Sequence, residues 1–253
     1  MTQASVGFHC PECVKGSSQQ VHTTRTLARS SAPVVTSALV ALNLAVYLYS
    51  TVAGGGTPLG EPSFPFQLDW ALIGEGFSRA EGLVGVTHGE WYRLVSGGFL
   101  HANLMHLGFN MFALWILGRQ LEPALGGPTF GAVYGASLLA GSLGVMVAEP
   151  DALTVGASGA VFGMFGYALV AQYARGINPM DTGLGGIILI NLVFTFAVPG
   201  ISIGGHLGGL VGGAAAGFLF DVVRPRLGLP TWVGTALVVL LGLGCAAASV
   251  AVA

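Results

Sequence analysis

The segment Thr154–Gly163 reads TVGASGAVFG and places one serine, Ser158, at the head of an apolar, glycine-spaced run. A serine in such a run is either a small residue at a helix interface or a nucleophile. Taken alone, the interface is the commoner role, because Gly159 and Gly163 form a GxxxG pair that lets helices approach closely. The polar residues elsewhere in the chain decide between the two roles.

The composition predicts an all-α, polytopic membrane protein. Of its 253 residues, 53% are hydrophobic and only 8% are charged, whereas a soluble domain carries about a quarter charged residues. The 41 glycines would weaken soluble helices, but in lipid small residues allow close helix packing. A net charge of -2 without a basic run argues against nucleic acid as a partner.

Seven apolar stretches are long enough to span a bilayer, which takes about 20 residues. They lie at 33–52, 98–118, 128–148, 157–174, 183–199, 204–221 and 232–252. This predicts an amino-terminal tail at 1–32, a membrane domain at 33–222, and a linker with a seventh transmembrane helix at 223–253. The long connection at about 53–97 mixes aromatic and turn residues, as interfacial segments do.

The basic residues predict the orientation, because cytoplasmic loops are enriched in Lys and Arg. With a cytoplasmic amino terminus, seven of the nine lie inside, namely Lys15, Arg25, Arg29, Arg119, Arg175, Arg224 and Arg226. Only Arg79 and Arg93 lie outside. The carboxyl terminus and the 53–97 connection are then external, and a multi-pass protein of a bacterial plasma membrane is expected.

The amino-terminal tail contains half of a zinc-finger-like motif. Cys10 and Cys13 form a CxxC with His22 nearby, but the remaining cysteine, Cys245, falls in the last span. A zinc ribbon needs a second ligand pair at similar spacing. A tail with a truncated finger is therefore favoured, and a single zinc held by Cys10, Cys13, His22 and a fourth ligand stays open.

Three spans carry polar residues to one level of the membrane. Spans 2, 4 and 6 run in the same direction, so Ser158 and His206, each near the start of its span, share a depth. His106 and Asn110 lie a few residues along span 2 and, four residues apart, face the same way. Polar side chains within a membrane are costly and usually functional, so their convergence favours a site.

These residues suit nucleophilic catalysis, which needs a base beside the serine and donors for the oxyanion. His206 is the natural base for Ser158, and the unsatisfied Ser158 amide could donate to the oxyanion beside His106 and Asn110. His101 lies about 140° from His106 on the helix and is expected to brace the helix entrance or the external loop. A Ser-His dyad is the default.

The sequence offers no clear third member. Asp221 is fifteen residues beyond His206 on the same helix, about 22 Å away. Whether Asp151, in the loop just before Ser158, assists the dyad stays open.

Five motifs resemble the rhomboid intramembrane serine proteases of bacteria over about residues 33–222. They are GASG around Ser158, HANLMHLGFN, GGHLGG around His206, EWYR at Glu90–Arg93 and GRQLE at Gly118–Glu122. The resemblance implies a six-helix bundle, to which this chain adds a seventh, carboxyl-terminal transmembrane helix.

The resemblance also implies residue roles. Ser158 would be the nucleophile and His206 the base, with His106, Asn110 and the Ser158 amide in the oxyanion hole. The positions implied to support the site or the fold around it are Gly156, Gly159, Phe162, His101, Trp91, Arg93, Arg119 and Glu122. Phe162 falls where some members carry a tyrosine, and its ring should still pack against His206.

The resulting hypothesis is a serine endopeptidase that cleaves transmembrane segments of other membrane proteins near the outer membrane face. It needs no metal or cofactor, and its partners are the substrate helices and the lipid bilayer. The fifth span, NLVFTFAVPG, would be the lateral gate that the resemblance implies. The alternative is a non-catalytic rhomboid-like protein that binds client transmembrane helices without cutting them.

Overall fold

The computed structural model describes residues 2–3, 8–9, 33–53, 56–57, 59–78 and 81–253. Residues 1–32 and 33–253 form two units. In the first, β1 (Thr2–Gln3) pairs antiparallel with β2 (Phe8–His9). The candidate zinc ligands Cys10, Cys13 and His22 lie outside the described residues.

The second unit is helical, with one small hairpin before its main bundle. In chain order its elements are α1 (Val34–Ala53), α2 (Phe64–Trp70), β3 (Gly76–Ser78), β4 (Gly82–Val84), α3 (Arg93–Ser96), α4 (Leu104–Leu125), α5 (Gly127–Ala148), α6 (Ser158–Ala174), α7 (Leu184–Ala197), α8 (Ile203–Gly217) and α9 (Thr231–Val252). A π-helical turn at Phe218–Val223 and a short turn at Arg224–Arg226 extend α8. Each of the seven predicted stretches contains an α-helix over most of its length, so the all-α prediction is confirmed.

The helices differ in length. Among the described residues, four are long and apolar enough to cross a membrane, namely α1, α5, extended α8 and α9, and a fifth qualifies if α3 and α4 count as one bent span. The predicted fourth and fifth spans fall short of this length. With 17 and 14 residues, α6 and α7 extend about 26 Å and 21 Å at 1.5 Å per residue.

The second predicted span differs at its start. A continuous helix from residue 98 was expected, but α4 begins at Leu104, and the 93–99 segment meets it at an angle of 96°. The break falls at Asn103, whose backbone is extended. The side-chain oxygen of Asn103 caps α4 by accepting from the His106 N–H. An asparagine in this position is a preferred N-cap.

Glycines let α8 lie against α5 and α6 with almost no space between backbones. A Cβ on Gly209 or Gly213 would collide with the carbonyls of Gly159 or Gly163 in α6. On the other side of α8, a Cβ on Gly204 would collide with the Gly144 carbonyl of α5. Small residues permit such approach in membrane helices, so the glycine spacing fixes the position of α8 against both neighbours.

Candidate active site

Ser158 is the first residue of α6, directly after the N-cap Ala157. The amide groups in the first turn of a helix have no acceptor within that helix. The Ser158 N–H is therefore available to an external acceptor beside the Ser158 hydroxyl.

The loop before Ser158 is held by backbone hydrogen bonds to the segment before α4. Thr154 and Leu72 exchange two such bonds, of 2.8 and 3.0 Å, and the Gly156 N–H donates to the Gly97 carbonyl at 2.9 Å. Irregular backbone at membrane depth is stable only when its polar groups are paired within the protein. These bonds satisfy that requirement and fix the height at which α6 begins.

His206 is buried in the first turns of α8. The N-cap of that helix is Ser202, whose hydroxyl accepts from the Gly205 N–H at 2.9 Å. The Glu149 carboxylate, at the end of α5, accepts from the Ser202 hydroxyl and from the Gly204 N–H. An anion at a helix amino terminus is favourable, so Glu149 ties α5 to the turn that carries His206.

Ser158 and His206 are brought together by their neighbours. A Cβ on Gly159 would lie 3.2 Å from the Gly205 carbonyl oxygen, so the residue after Ser158 touches the residue before His206. One turn after Ser158, the Phe162 ring stacks on His206 with centroids 4.0 Å apart and planes 18° apart. The stacked ring fixes the plane of the imidazole.

The His206 ring has one strong polar contact. Its Nδ1 lies 2.7 Å from the Thr195 hydroxyl oxygen of α7, and both side chains are buried. Among the described residues, no hydrogen bond joins the Ser158 hydroxyl to His206. Catalytic contacts of this kind often close only when substrate is bound.

His106 borders the same point from α4. A Cβ on Gly156 would lie 2.8 Å from His106 Nε2 and 3.6 Å from the Ser158 hydroxyl oxygen, so both groups adjoin the α-carbon of Gly156. Gly156 has a φ of +128°, a conformation that suits glycine. The His101 ring packs edge-on against His106, with centroids 5.1 Å apart, and is buried.

The ring orientation of His106 is set by its other nitrogen. The Ala102 N–H donates to His106 Nδ1 in a long hydrogen bond of 3.4 Å. A neutral imidazole that accepts at Nδ1 carries its proton at Nε2. The nitrogen beside Gly156 is then a donor.

Asn110 lies one turn further along α4 and is buried. Its side-chain nitrogen donates to the His106 carbonyl at 3.0 Å, which leaves a second N–H of the amide group. Asn110 therefore lies on the same face of α4 as His106. Among the described residues, no hydrogen bond links it to Ser158 or His206.

A small cavity lies beside Ser158. It offers about 30 Å³ to the centres of water-sized molecules, and one water needs about 10–15 Å³. Residues of α5, the segment before α4, the 154–157 loop and the start of α8 line it. The serine thus borders a space large enough for a water molecule.

Two further carboxylates do not join this group. Asp151 is exposed and has no hydrogen bond to Ser158 or His206 within the described part of the chain. Asp221 accepts from the Tyr167 hydroxyl at 2.7 Å, towards the opposite end of α6. Among the described residues, no three His, Cys, Asp or Glu side chains are grouped to hold a metal.

The comparison with known families identifies the fold. A sequence model of the rhomboid domain matches residues 88–221, more than half of the chain. The chain belongs to the rhomboid family. It is also similar to two proteins of Bacillus subtilis (strain 168): 32% identical to rhomboid protease GluP over 215 residues, and 36% identical to YdcA over 140 residues.

The rhomboid relatives differ in length from this chain. The match to GluP covers 84% of this chain but 38% of GluP, and the match to YdcA covers 54% of this chain and 70% of YdcA. Rhomboid-like protease 1 of Toxoplasma gondii is 35% identical over 144 residues, 54% of this chain and 49% of that protein. The prediction of a rhomboid protein is confirmed, and with its apolar helices the chain is a multi-pass integral membrane protein.

In this rhomboid chain, the EWYR motif fastens the connection before α4. Arg93 is buried and donates to the Leu68 and Ala71 carbonyls and to the Glu90 carboxylate, the last at 2.7 Å. Burial raises the pKa of Glu90, but hydrogen bonds from Arg93 and Gly85 outweigh it and leave that pKa below its ordinary value.

The remaining residues implied by the rhomboid motifs lie apart from Ser158. Trp91 is exposed, and Arg119 lies over the Trp115 ring. The buried Glu122 carboxylate accepts from the Val35 and Thr36 N–H groups, both at 2.8 Å, and caps α1. Glu122 therefore joins α4 to α1.

Sequence reasoning missed two residues that contact the His206 helix or ring. Thr195 is a threonine within an apolar helix, and Glu149 is a carboxylate at the end of one. The position of Glu149 at a span boundary is a weak indication of a contact with another helix, since acidic residues also occur at solvated helix ends. Nothing in the local sequence distinguishes Thr195 from a threonine bonded only to its own helix.

Proposed function

We propose that the chain is an intramembrane serine endopeptidase that cleaves transmembrane segments of other membrane proteins. Ser158 attacks a peptide carbonyl, and His206 Nε2 takes the hydroxyl proton. The negative oxygen accepts hydrogen bonds from the Ser158 amide, His106 Nε2 and Asn110. The observation that carries the proposal is the meeting of Ser158, the His206 helix and His106 within contact distance of Gly156 and Gly159.

The later steps of the reaction pass the proton from His206 to the leaving amine and then restore Ser158. His206 donates it to the leaving nitrogen as the C–N bond breaks, which leaves an acyl group on the Ser158 oxygen. Water then attacks the ester while His206 accepts one of its protons. As the bond between the acyl carbon and the Ser158 oxygen breaks, His206 passes that proton to the Ser158 oxygen, which releases the carboxylic acid and restores the free serine and the neutral base. The cavity beside Ser158 is large enough to supply this water.

The hydrogen bonds of the two histidines support the division of roles. His106 accepts at Nδ1 and carries its proton at Nε2, as an oxyanion donor requires. His206 faces a hydroxyl with its Nδ1, which leaves Nε2 for Ser158. A base and a donor need opposite tautomers, and these contacts favour that arrangement.

The positive-inside rule supports an outer-face site in a plasma membrane. With the amino terminus cytoplasmic, the starts of α4, α6 and α8 lie towards the outer face, and the carboxyl terminus lies outside. A helical substrate hides its carbonyls in hydrogen bonds, so a cleavable segment should carry small or helix-breaking residues near that face.

The names of the relatives, which include rhomboid proteases, favour catalysis over the alternative of a client-binding protein that does not cut. The presence of both Ser158 and His206 supports the same choice, because a protein that only binds helices needs neither.

The decisive experiment is labelling of the detergent-solubilised protein by a fluorophosphonate, with the adduct located by mass spectrometry. We expect an adduct on Ser158 that is lost in Ser158→Ala and His206→Ala. His106→Ala or Asn110→Ala should slow peptide cleavage by about 10²- to 10³-fold, as for loss of one oxyanion donor.

Two controls match the key variants. Ser249→Ala removes a buried serine of α9 whose hydroxyl donates to the Cys245 carbonyl of the same helix, and His88→Ala removes a histidine of the external connection. Both should label like the wild type. A folded wild-type protein that takes up no probe, yet captures an added transmembrane peptide, would refute catalysis and support client binding.

A further inference from the structure

We propose that Thr195 is a positioning residue, whose hydroxyl holds His206 in the tautomer that can accept the Ser158 proton. This inference rests on the proposed roles of Ser158 and His206. It adds to them a side chain from α7, so that three helices rather than two define the state of the base.

The argument begins with the single proton of the Thr195 hydroxyl. That hydroxyl donates to the Asn191 carbonyl at 2.8 Å, and a carbonyl can only accept. A Thr195 hydroxyl that donates to Asn191 presents only its lone pairs to His206 Nδ1, which lies 2.7 Å away, and we assign the pair in this sense. His206 must then carry its proton at Nδ1.

A neutral imidazole protonated at Nδ1 has a free lone pair at Nε2. General-base catalysis by His206 requires that lone pair, because the Ser158 proton must move onto it. The opposite tautomer would present an N–H to the serine and could not accept. The Thr195 contact thus selects the catalytically competent form before substrate arrives.

Burial makes this selection strong. Thr195 is 2% exposed and His206 is 8% exposed, so water competes little for Nδ1. Among the described residues, Thr195 is the sole hydrogen-bond partner of that ring. An unpaired buried N–H is costly, which means that loss of the hydroxyl penalises the Nδ1–H tautomer.

Two contacts of different kinds therefore fix the His206 ring. Stacking on Phe162 fixes its plane, as the 18° interplanar angle indicates, but a stacked ring can still rotate within that plane. The directional bond to Thr195 removes the rotation. Together, the stacking and the hydrogen bond fix the direction in which His206 Nε2 points.

The position of Thr195 on α7 is consistent with an inward role. The large apolar residues of that helix are mostly exposed, namely Ile187, Leu189, Ile190, Val193, Phe194 and Phe196. Thr195 is instead buried. A displacement of α7 away from the bundle would break the bond to His206.

The test compares Thr195→Val, which keeps the shape and removes the hydroxyl, with Thr195→Ser, which keeps the hydroxyl. Thr235→Val is the matched control, because it removes a threonine hydroxyl that pairs with Thr129 in another part of the bundle. Two quantities are measured on the whole protein: the rate of fluorophosphonate labelling at Ser158, and the His206 tautomer by nuclear magnetic resonance of ¹⁵N-labelled histidines. The His206 signal is identified by its loss in His206→Ala.

We expect the wild type, Thr195→Ser and Thr235→Val to carry the His206 proton at Nδ1 and to label at similar rates. Thr195→Val should shift the ring towards the Nε2–H tautomer and label about tenfold more slowly, the effect of one lost buried hydrogen bond. A purely structural role would slow labelling without a tautomer change and without rescue by serine.

The outcomes separate this inference from the proposed function. If the wild type labels at Ser158 and Thr195→Val matches it in rate and tautomer, the positioning role is wrong and the protease proposal stands. A wild-type His206 with its proton at Nε2 would also overturn the inference. If the folded wild type does not label, the proposed function fails and the role of Thr195 fails with it.

Discussion

Gly156→Ala should disable Ser158 chemistry while leaving the helices in place. The added methyl group would lie 2.7 Å from His106 Cε1 and 2.8 Å from its Nε2, closer than real Cβ atoms approach other heavy atoms. The His106 ring cannot easily retreat, because the buried His101 ring packs against it. The methyl group must therefore displace the proposed oxyanion donor or the loop.

The magnitude has two parts. A non-glycine residue held in a sparsely populated backbone conformation, such as the φ of +128° at Gly156, costs of order 1–3 kcal/mol, which lowers stability without abolishing folding. Displacement of His106 would remove one of the proposed oxyanion donors, which should slow cleavage by about 10²- to 10³-fold. The assay is the cleavage rate of a transmembrane peptide in detergent, measured beside the free energy of unfolding.

Gly176→Ala is the control for backbone strain. Gly176 also has positive φ, +70°, but a Cβ there meets nothing within 4 Å. It should lower stability by about 1–2 kcal/mol and leave cleavage unchanged. If Gly156→Ala cleaves at the wild-type rate, His106 does not serve the reaction from the position described.

Phe162→Leu should slow labelling of Ser158 about tenfold or less, since an aromatic pair such as that with His206 contributes about 0.5–1.5 kcal/mol; Phe162→Tyr should restore the rate, and equal rates in all three would contradict a role for stacking. The low pKa of Glu90 means that its pair with Arg93 stabilises the fold fully above the ordinary pKa of 4.5 and less as the pH falls through the lower folded value. Unfolding of Glu90→Gln followed against pH should therefore lack this acid-side loss, and an unchanged profile would contradict it. Gly213→Leu should prevent folding, because its side chain would enter the backbone of α6; a folded, active variant by circular dichroism and labelling would contradict the packing.

The sequence was sufficient for the fold class because its main signals are local. Apolar length, low charge and the position of basic residues identify membrane helices without knowledge of their contacts. The sequence could also predict that Ser158, His206 and His106 lie near one another. The direction of each span gives the depth of a residue in the membrane, and its position on the helical wheel gives the side of the helix that it faces. The Asn103 cap that bends the chain before α4 lay within reach of the same local reasoning.

The remaining details depend on contacts between distant segments. Thr195 meets His206 only because α7 packs beside α8, and Glu149 meets Ser202 only because two helix ends adjoin. Neither pairing follows from spacing along the chain. The short elements between α1 and α4 were also missed, because interfacial segments lack the long periodicity that reveals a helix.

The length of α7 has a consequence for the surrounding lipid. This helix extends about 21 Å, against a hydrocarbon core of about 30 Å, and most of its apolar side chains are exposed. The bilayer beside α7 must become thinner, or polar headgroups must move inward towards the helix ends. Either change costs a fraction of a kcal/mol for each ångström of mismatch. Bilayer thickness therefore acts directly on the helix that holds Thr195, and lipids of different chain length should change the behaviour of the His206 ring without any change in sequence.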